Sequence, residues 1–283
     1  MSDIIGGLGL VWTVALGAAI LTLRLTRSAS RRALALTGAG AVAFVVVHAL
    51  LPQDSLWLAR VLPLTNVIVV GNWVPVAVAM LAAVVWRDTR TTRSRRGLAI
   101  VVLLLGGAYL VYEPLVGPRP HCRNLWYHDI CVQSSFVTCS PAAAATFLRC
   151  YGIRTTEGEM ARSCLTTWRG TPRLGLYRGL SLKTAHTGLR PEPVGGGMAD
   201  LRAAAPESVL LFVGLRRGER ADPRYEHEWG WQPGASHAVV LFRFLPDGWI
   251  EVGDPAAGRE KWRTEALDVL WHGEGLRLVR RGG

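Results

Sequence analysis

Apolar and polar positions divide the chain into two halves with different periods. Residues 4–23, between Asp3 and Arg24, carry no charge, and such a run at about 1.5 Å per residue reaches across a hydrocarbon core of about 30 Å. Residues 33–53 hold only His48 as an ionisable group, residues 61–86 hold none, and residues 97–112 form a shorter run closed by Glu113 and Pro114, which reaches spanning length by continuing toward residue 116. The pattern predicts four transmembrane helices, at about 4–23, 33–53, 61–86 and 97–116, in an all-α region over residues 1–116. A removable signal peptide is the competing reading of the first run, but no basic segment precedes it, which favours a retained helix.

Beyond residue 116 the period changes. Residues 117–130 read as an irregular linker, and residues 131–283 as one folded domain. In that domain an Ala-rich segment from Pro141 to Tyr151 predicts a helix with proline in its first turn and Gly152 at its end. Further helices are expected at about 156–165 and 172–188, followed by β-type runs at 209–215, 237–244, 249–252 and 276–279. Helices first and strands afterwards indicate an α+β class.

The formal charge of +11 comes almost wholly from arginine, since Lys183 and Lys261 are the only lysines. Arg24, Arg27, Arg31 and Arg32 occupy the first connector between apolar runs, and Arg87, Arg90, Arg93, Arg95 and Arg96 the second connector between long runs. That distribution is a topology signal and gives no nucleic-acid footprint, so nucleic acid is not expected as a partner. Both basic connectors should face the cytoplasm. Four crossings then return the chain outward, predicting a multi-pass plasma-membrane protein whose folded domain is extracytoplasmic. His48, Asn66 and Asn72 could mark a transport path, yet no acidic residue lies in any run, and packing between helices explains them better.

The five cysteines, Cys122, Cys131, Cys139, Cys150 and Cys164, all lie in the second half. An odd number in an oxidising compartment suggests disulfides among Cys122, Cys131, Cys150 and Cys164, in an undetermined pairing, with Cys139 left as a reactive thiol. His121, Cys122, His128 and Cys131 are spaced unlike a closed zinc site, and no metal or cofactor is expected.

Cys139 precedes the Ala-rich helix, where the helix dipole and free N–H groups favour a thiolate. His237 begins an apolar strand that would hold an imidazole rigidly, and Asp254 lies at the end of the next strand, after a turn at Pro246–Gly248, where its carboxylate can fix the imidazole tautomer. Gln133, six residues before Cys139, can supply a side-chain N–H to an oxyanion alongside the Cys139 backbone N–H. His227, between two glutamates, is a weaker rival base, and the stretch Glu226 to Trp231 is a candidate for shaping specificity.

The segments QSSFVTCSPAAAATFLRCYG and SHAVVLFRFLPDGWIEVGDPAAG resemble the double-glycine leader peptidases, family thirty-nine of the cysteine peptidases, in the papain-like clan. The resemblance covers roughly residues 131–280. It implies a papain-like cysteine peptidase domain in which Gln133, Cys139, His237 and Asp254 are catalytic, acting on a peptide or protein substrate at the bilayer. The family usually carries Asp-Cys-Gly at the nucleophile, where this chain has Thr138, Cys139 and Ser140, so the resemblance implies the chemistry and leaves double-glycine specificity open. Nor does the chain carry the ATPase motif of exporter-fused members, which leaves an exporter or another membrane protein as an open partner class. Competing functions are a catalytically idle peptide-binding domain and a cysteine-dependent transamidase or cell-wall peptide hydrolase. Gly6-Gly7 would be a self-processing site only if it left the first apolar run, and helix packing is its simpler role.

Overall fold

The computed structural model describes residues 1–50, 54–88, 90, 92–112, 115–218 and 221–281, and the chain forms two units. Met1–Ser55 with Leu64–Gly117 make the first, and Leu56–Pro63 with Pro118–Gly283 the second.

The first unit is helical: α1 (Ser2–Leu25), α2 (Arg31–Leu50), then, after α3 of the second unit (Trp57–Val61), α4 (Val67–Val70), α5 (Val74–Arg87) and α6 (Arg93–Tyr112). Among the described residues four helical stretches are long and apolar enough to cross a membrane, ending at Leu25, His48, Arg87 and Tyr112. The expected ends of the second and fourth runs, at residues 51–53 and at Glu113 and Pro114, lie outside the described residues. The third run is not one helix from residue 61. Leu62 leaves the helical region at φ −123°, ψ 82°, as a residue before proline is pushed to do, and Pro63 separates α3 from α4. A second break at Gly71–Trp73 is held by Asn72, whose Oδ1 accepts from Val74 N–H and whose Nδ2 donates to the Leu110 carbonyl. Asn66 likewise donates to the Asp3 carbonyl at 3.1 Å. Gly7 is buried, and its Cα faces the Asn66 and Val69 side chains, the packing role that a double glycine in a helix invites.

The second unit begins with a two-stranded ribbon, β1 (Trp126–Tyr127) and β2 (Ile130–Cys131), inside the stretch expected to be irregular. A 3₁₀ turn (Phe136–Thr138) leads into α7 (Cys139–Cys150), then α8 (Glu157–Ser163) and α9 (Arg173–Lys183). Next come β3 (Leu189–Gly195), α10 (Met198–Ala204), β4 (Val209–Val213), α11 (Arg224–His227), β5 (His237–Phe244), β6 (Trp249–Asp254), β7 (Gly258–Arg263), α12 (Glu265–Leu270) and β8 (Trp271–Arg280). Strands β3 to β8 form one antiparallel sheet in the order β3-β8-β4-β5-β6-β7. The α+β class is therefore observed, with more strand than the sequence pattern predicts.

Alternation along β4 and β5 sorts the core. Val209, Leu211, Val213, Val239 and Leu241 join Leu201 of α10 and Leu267 of α12 in one cluster. Helix α7 packs on β5 and β2, with Ala142 to Ala145, Phe147 and Leu148 all buried. Four consecutive alanines keep that contact thin, so the helix start lies close to β5.

The expected disulfides do not form: all five thiols are free. Each sits against its own neighbours. Cys164 is buried against Gly179 of α9, Cys131 is buried on β2, where its N–H bonds Thr146 Oγ1 of α7, and Cys150 donates to the Thr146 carbonyl at the end of α7.

Candidate active site

Helix α7 starts at Cys139 itself, so the thiol is in the first helical turn. The approach to it is tied by Thr138, fully buried, whose hydroxyl accepts from the Ser134 and Ser135 N–H groups at 3.0 and 2.9 Å. Thr138 stands at the position where the resembling family carries aspartate, and here a hydroxyl does the accepting.

Strands β5 and β6 meet through the turn at Pro246–Gly248, with Asp247 at φ 60° and Gly248 at φ 73°, the positive-φ pair that an Asp-Gly hairpin favours. The pairing of Val240 with Gly253 then carries Asp254 back to the start of β5. Asp254, 6 % exposed, lies with Oδ1 2.9 Å from His237 Nε2 and also accepts from Ala256 N–H at 2.6 Å. At Gly253 a side chain would collide with the Phe242 ring and Ile130, so only glycine lets β2 approach β6 here. That close approach brings in Gln133, whose N–H donates to the Pro255 carbonyl at 2.9 Å.

Nε2 of His237 is engaged by Asp254, which leaves Nδ1 for the other side of the ring, and the imidazole meets the Cys139 thiol. Burial alone would raise the thiol's pKa, but the hydrogen bond and charge of His237, the Ser140 hydroxyl and the Ala238 N–H outweigh it and hold Cys139 below its ordinary value. On His237 burial acts the other way, and the bonds to Asp254 and Cys139 overcome it, pushing the imidazole up to about 10. Both shifts favour the same form of the pair, thiolate beside imidazolium. The other four thiols move oppositely: burial raises Cys122 and Cys150 and pushes Cys131 and Cys164 up to about 12.

The structure thus brings Cys139, His237 and Asp254 together and clamps Gln133 beside Asp254 and Thr138. Oε1 of Gln133 is shielded from solvent with no hydrogen-bond partner among the described residues. His227 is exposed at the end of α11, away from the role of base. Trp231, read as part of a specificity stretch, stands edge-on to the His237 ring at 5.9 Å and to Trp262 at 5.8 Å, covering one side of the imidazole. Among the described residues no three His, Cys, Asp or Glu side chains gather as a metal site. Two residues at the site escaped the sequence pattern. Ser134 and the fully buried Glu157 join the Gln133 segment to α8; Glu157 reads in sequence as an ordinary carboxylate in the first turn of a helix, and only the fold buries it.

No family model matches the chain. An uncharacterized protein of Methanothermobacter marburgensis is 31 % identical over 149 residues, which are 52 % of this chain and 86 % of that one. A second, from Methanothermobacter thermautotrophicus, is 28 % identical over 151 residues, 53 % of this chain and 88 % of the other. Among solved structures, the neighbours include double-glycine peptidase domains. The peptidase domain of Streptococcus ComA, a bifunctional ABC transporter of a quorum-sensing pathway, is 17 % identical with a TM-score of 0.41, covering 55 % of this chain and 100 % of that domain. A double-glycine motif protease of an AMS/PCAT transporter, solved with its leader peptide, gives the same identity and TM-score over 59 % of this chain and 99 % of that protein.

Proposed function

The chain belongs to the same family as the uncharacterized protein of Methanothermobacter marburgensis, and from that premise we propose that it is a membrane-anchored, papain-like cysteine peptidase. The observation that carries this reading is the continuous set formed by a thiol opening α7, the imidazole beside it, and a buried carboxylate 2.9 Å from the far ring nitrogen. In the proposed reaction the Cys139 thiolate attacks the carbonyl carbon of a peptide bond. The Gln133 side-chain amide and the Cys139 N–H hold the oxyanion, His237 gives its proton to the leaving amine, and Asp254 keeps the ring oriented. Water then enters, His237 removes its proton, and the thioester is hydrolysed.

The four apolar helical stretches are proposed as the anchor. With the expected disulfides absent, the extracytoplasmic placement rests on the arginine distribution and on the loop between the second and third runs. Arg60 of that loop donates to the Pro193 carbonyl, and Leu56 N–H to Glu274, so the loop with few charges is built into the same unit as the catalytic residues. An even number of crossings requires that arrangement.

The test is labelling of intact membranes with a thiol-reactive peptidyl electrophile. Wild type should be labelled, and Cys139→Ala and His237→Ala should not; labelling that survives Cys139→Ala refutes the assignment. In intact cells a membrane-impermeant maleimide should reach the exposed Cys150, and protection until lysis would reverse the orientation.

A further inference from the structure

Glu157 is fully buried at the first position of α8, yet no lysine or arginine pairs with it among the described residues. A buried carboxylate without a cation is costly unless hydrogen bonds satisfy it. Its bonds converge on one place: Ser134 N–H donates to Oε1 at 2.7 Å, the Ser134 hydroxyl to Oε2 at 2.6 Å, and Asn124 N–H to Oε2 at 3.4 Å. The cradle is closed by Arg123 N–H on the Ser134 hydroxyl at 2.7 Å and by Gly158 N–H on Asn124 Oδ1 at 2.8 Å.

Ser134 N–H belongs to the peptide that follows Gln133, and the Gln133 N–H is held by the Pro255 carbonyl at 2.9 Å. Both peptide planes flanking Gln133 are therefore fixed, one from the Asp254 loop and the other by Glu157 at 2.7 Å, with Thr138 Oγ1 sharing the same N–H at 3.0 Å. The Gln133 amide oxygen makes no hydrogen bond among the described residues, so this backbone clamp, and no side-chain partner, sets where the amide lies. A charge-assisted bond is shorter and stronger than a neutral one, and a donor to a developing oxyanion works only if it is held in place beforehand. Resting on the peptidase reading above, we propose that Glu157 is a positioning residue for the oxyanion site, holding Gln133 through Ser134 without touching substrate.

The test separates oxyanion stabilisation from thiolate reactivity in the full chain in detergent micelles. With p-nitrophenyl acetate the Cys139 thiolate adds to the acetyl carbon, the carbonyl electron pair moves to oxygen, and collapse expels p-nitrophenolate. With iodoacetamide a C–S bond forms as C–I breaks, and no oxyanion appears. Glu157→Gln keeps the shape and removes the charge. Its acylation burst should fall about tenfold, while alkylation of Cys139 should stay within about twofold of wild type, since the thiolate–imidazolium pair is untouched. Unchanged acylation overturns the proposal, and so does an equal fall in both rates. Should Glu157→Gln fail to fold by circular dichroism, Ser134→Ala removes one of the two Ser134 bonds and should show the same split at about threefold; wild-type acylation in that variant overturns the proposal. If wild-type Cys139 is alkylated no faster at neutral pH than Cys150 in the same chain, the peptidase reading itself fails and takes this one with it, a result distinct from a defect confined to acylation.

Discussion

The two units use similar apolar side chains in opposite ways. In the helical unit large apolar residues point outward, among them Leu16 at 63 % and Leu105 at 65 % exposure, and Asn66, Asn72 and Arg87 each tie their segment to the backbone of another helix. In the second unit the apolar residues are inside, and three of the polar groups buried with them, Thr138, Glu157 and Asp254, each hold a piece of the candidate site. An exposed band of leucine is a liability in water and ordinary in lipid. The same contrast explains where chemistry can reside: a thiolate needs neighbours fixed by tertiary structure, which the second unit supplies.

The largest expected effect tests the contrast directly. Leu148, fully buried on α7, should cost about 2–5 kcal/mol when cut to alanine, through lost burial and the cavity left behind. Leu105→Ala removes the same atoms from a surface already exposed to the surroundings, so denaturation in micelles should show a loss of less than about 1 kcal/mol. Equal losses would mean that Leu105 is covered in the functional protein.

Next in size is Asp254→Asn, set against Asn66→Ala. Without the Asp254 charge, burial governs His237, whose pKa should fall from about 10, and Cys139 loses its imidazolium partner. Wild-type alkylation by iodoacetamide should show a reactive plateau that begins at lower pH than for an ordinary thiol, because Cys139 is held below its usual value. The variant should lose that plateau and gain reactivity only as pH rises through the ionisation of the thiol itself. Turnover should drop about a hundredfold, near 2.7 kcal/mol. Asn66→Ala removes the bond from the Asn66 side-chain amide to the Asp3 carbonyl, worth about 0.6 kcal/mol, and should leave the alkylation profile unmoved. A plateau kept by Asp254→Asn would sink the ion-pair account.

The parts legible in the sequence are those whose signal is local. A long uncharged run, an Ala-rich helix headed by Cys139, and two apolar strands joined by Asp247-Gly248 each carry their own pattern. The strands that escaped include both edges of the sheet, for a physical reason. β3 reads LRPEPVG, with two prolines that a central strand would reject, and β7 reads GREKWR, with the charges that keep an edge from pairing with other chains. Glu157 was illegible for another reason, since its burial depends on β1, β2 and α8 meeting around Ser134. The disulfide expectation failed because counting cysteines says nothing of where the thiols face.

The smallest effect concerns two threonines, one in each unit. Thr37 in α2 sends its hydroxyl back to the Ala33 carbonyl, which its own helix already engages, so Thr37→Val should change stability by less than about 0.5 kcal/mol. Thr138 accepts from two backbone N–H groups while fully buried. In Thr138→Val the Ser134 N–H keeps Glu157 as acceptor, but the Ser135 N–H loses its side-chain partner, a penalty of about 1 kcal/mol. Because the damage lies between Gln133 and Cys139, ester acylation should weaken more than alkylation does. Urea denaturation and the two rates, measured on both variants, decide it: equal stability losses at the two threonines would show that burial of a hydroxyl, and not its place beside the nucleophile, sets the cost.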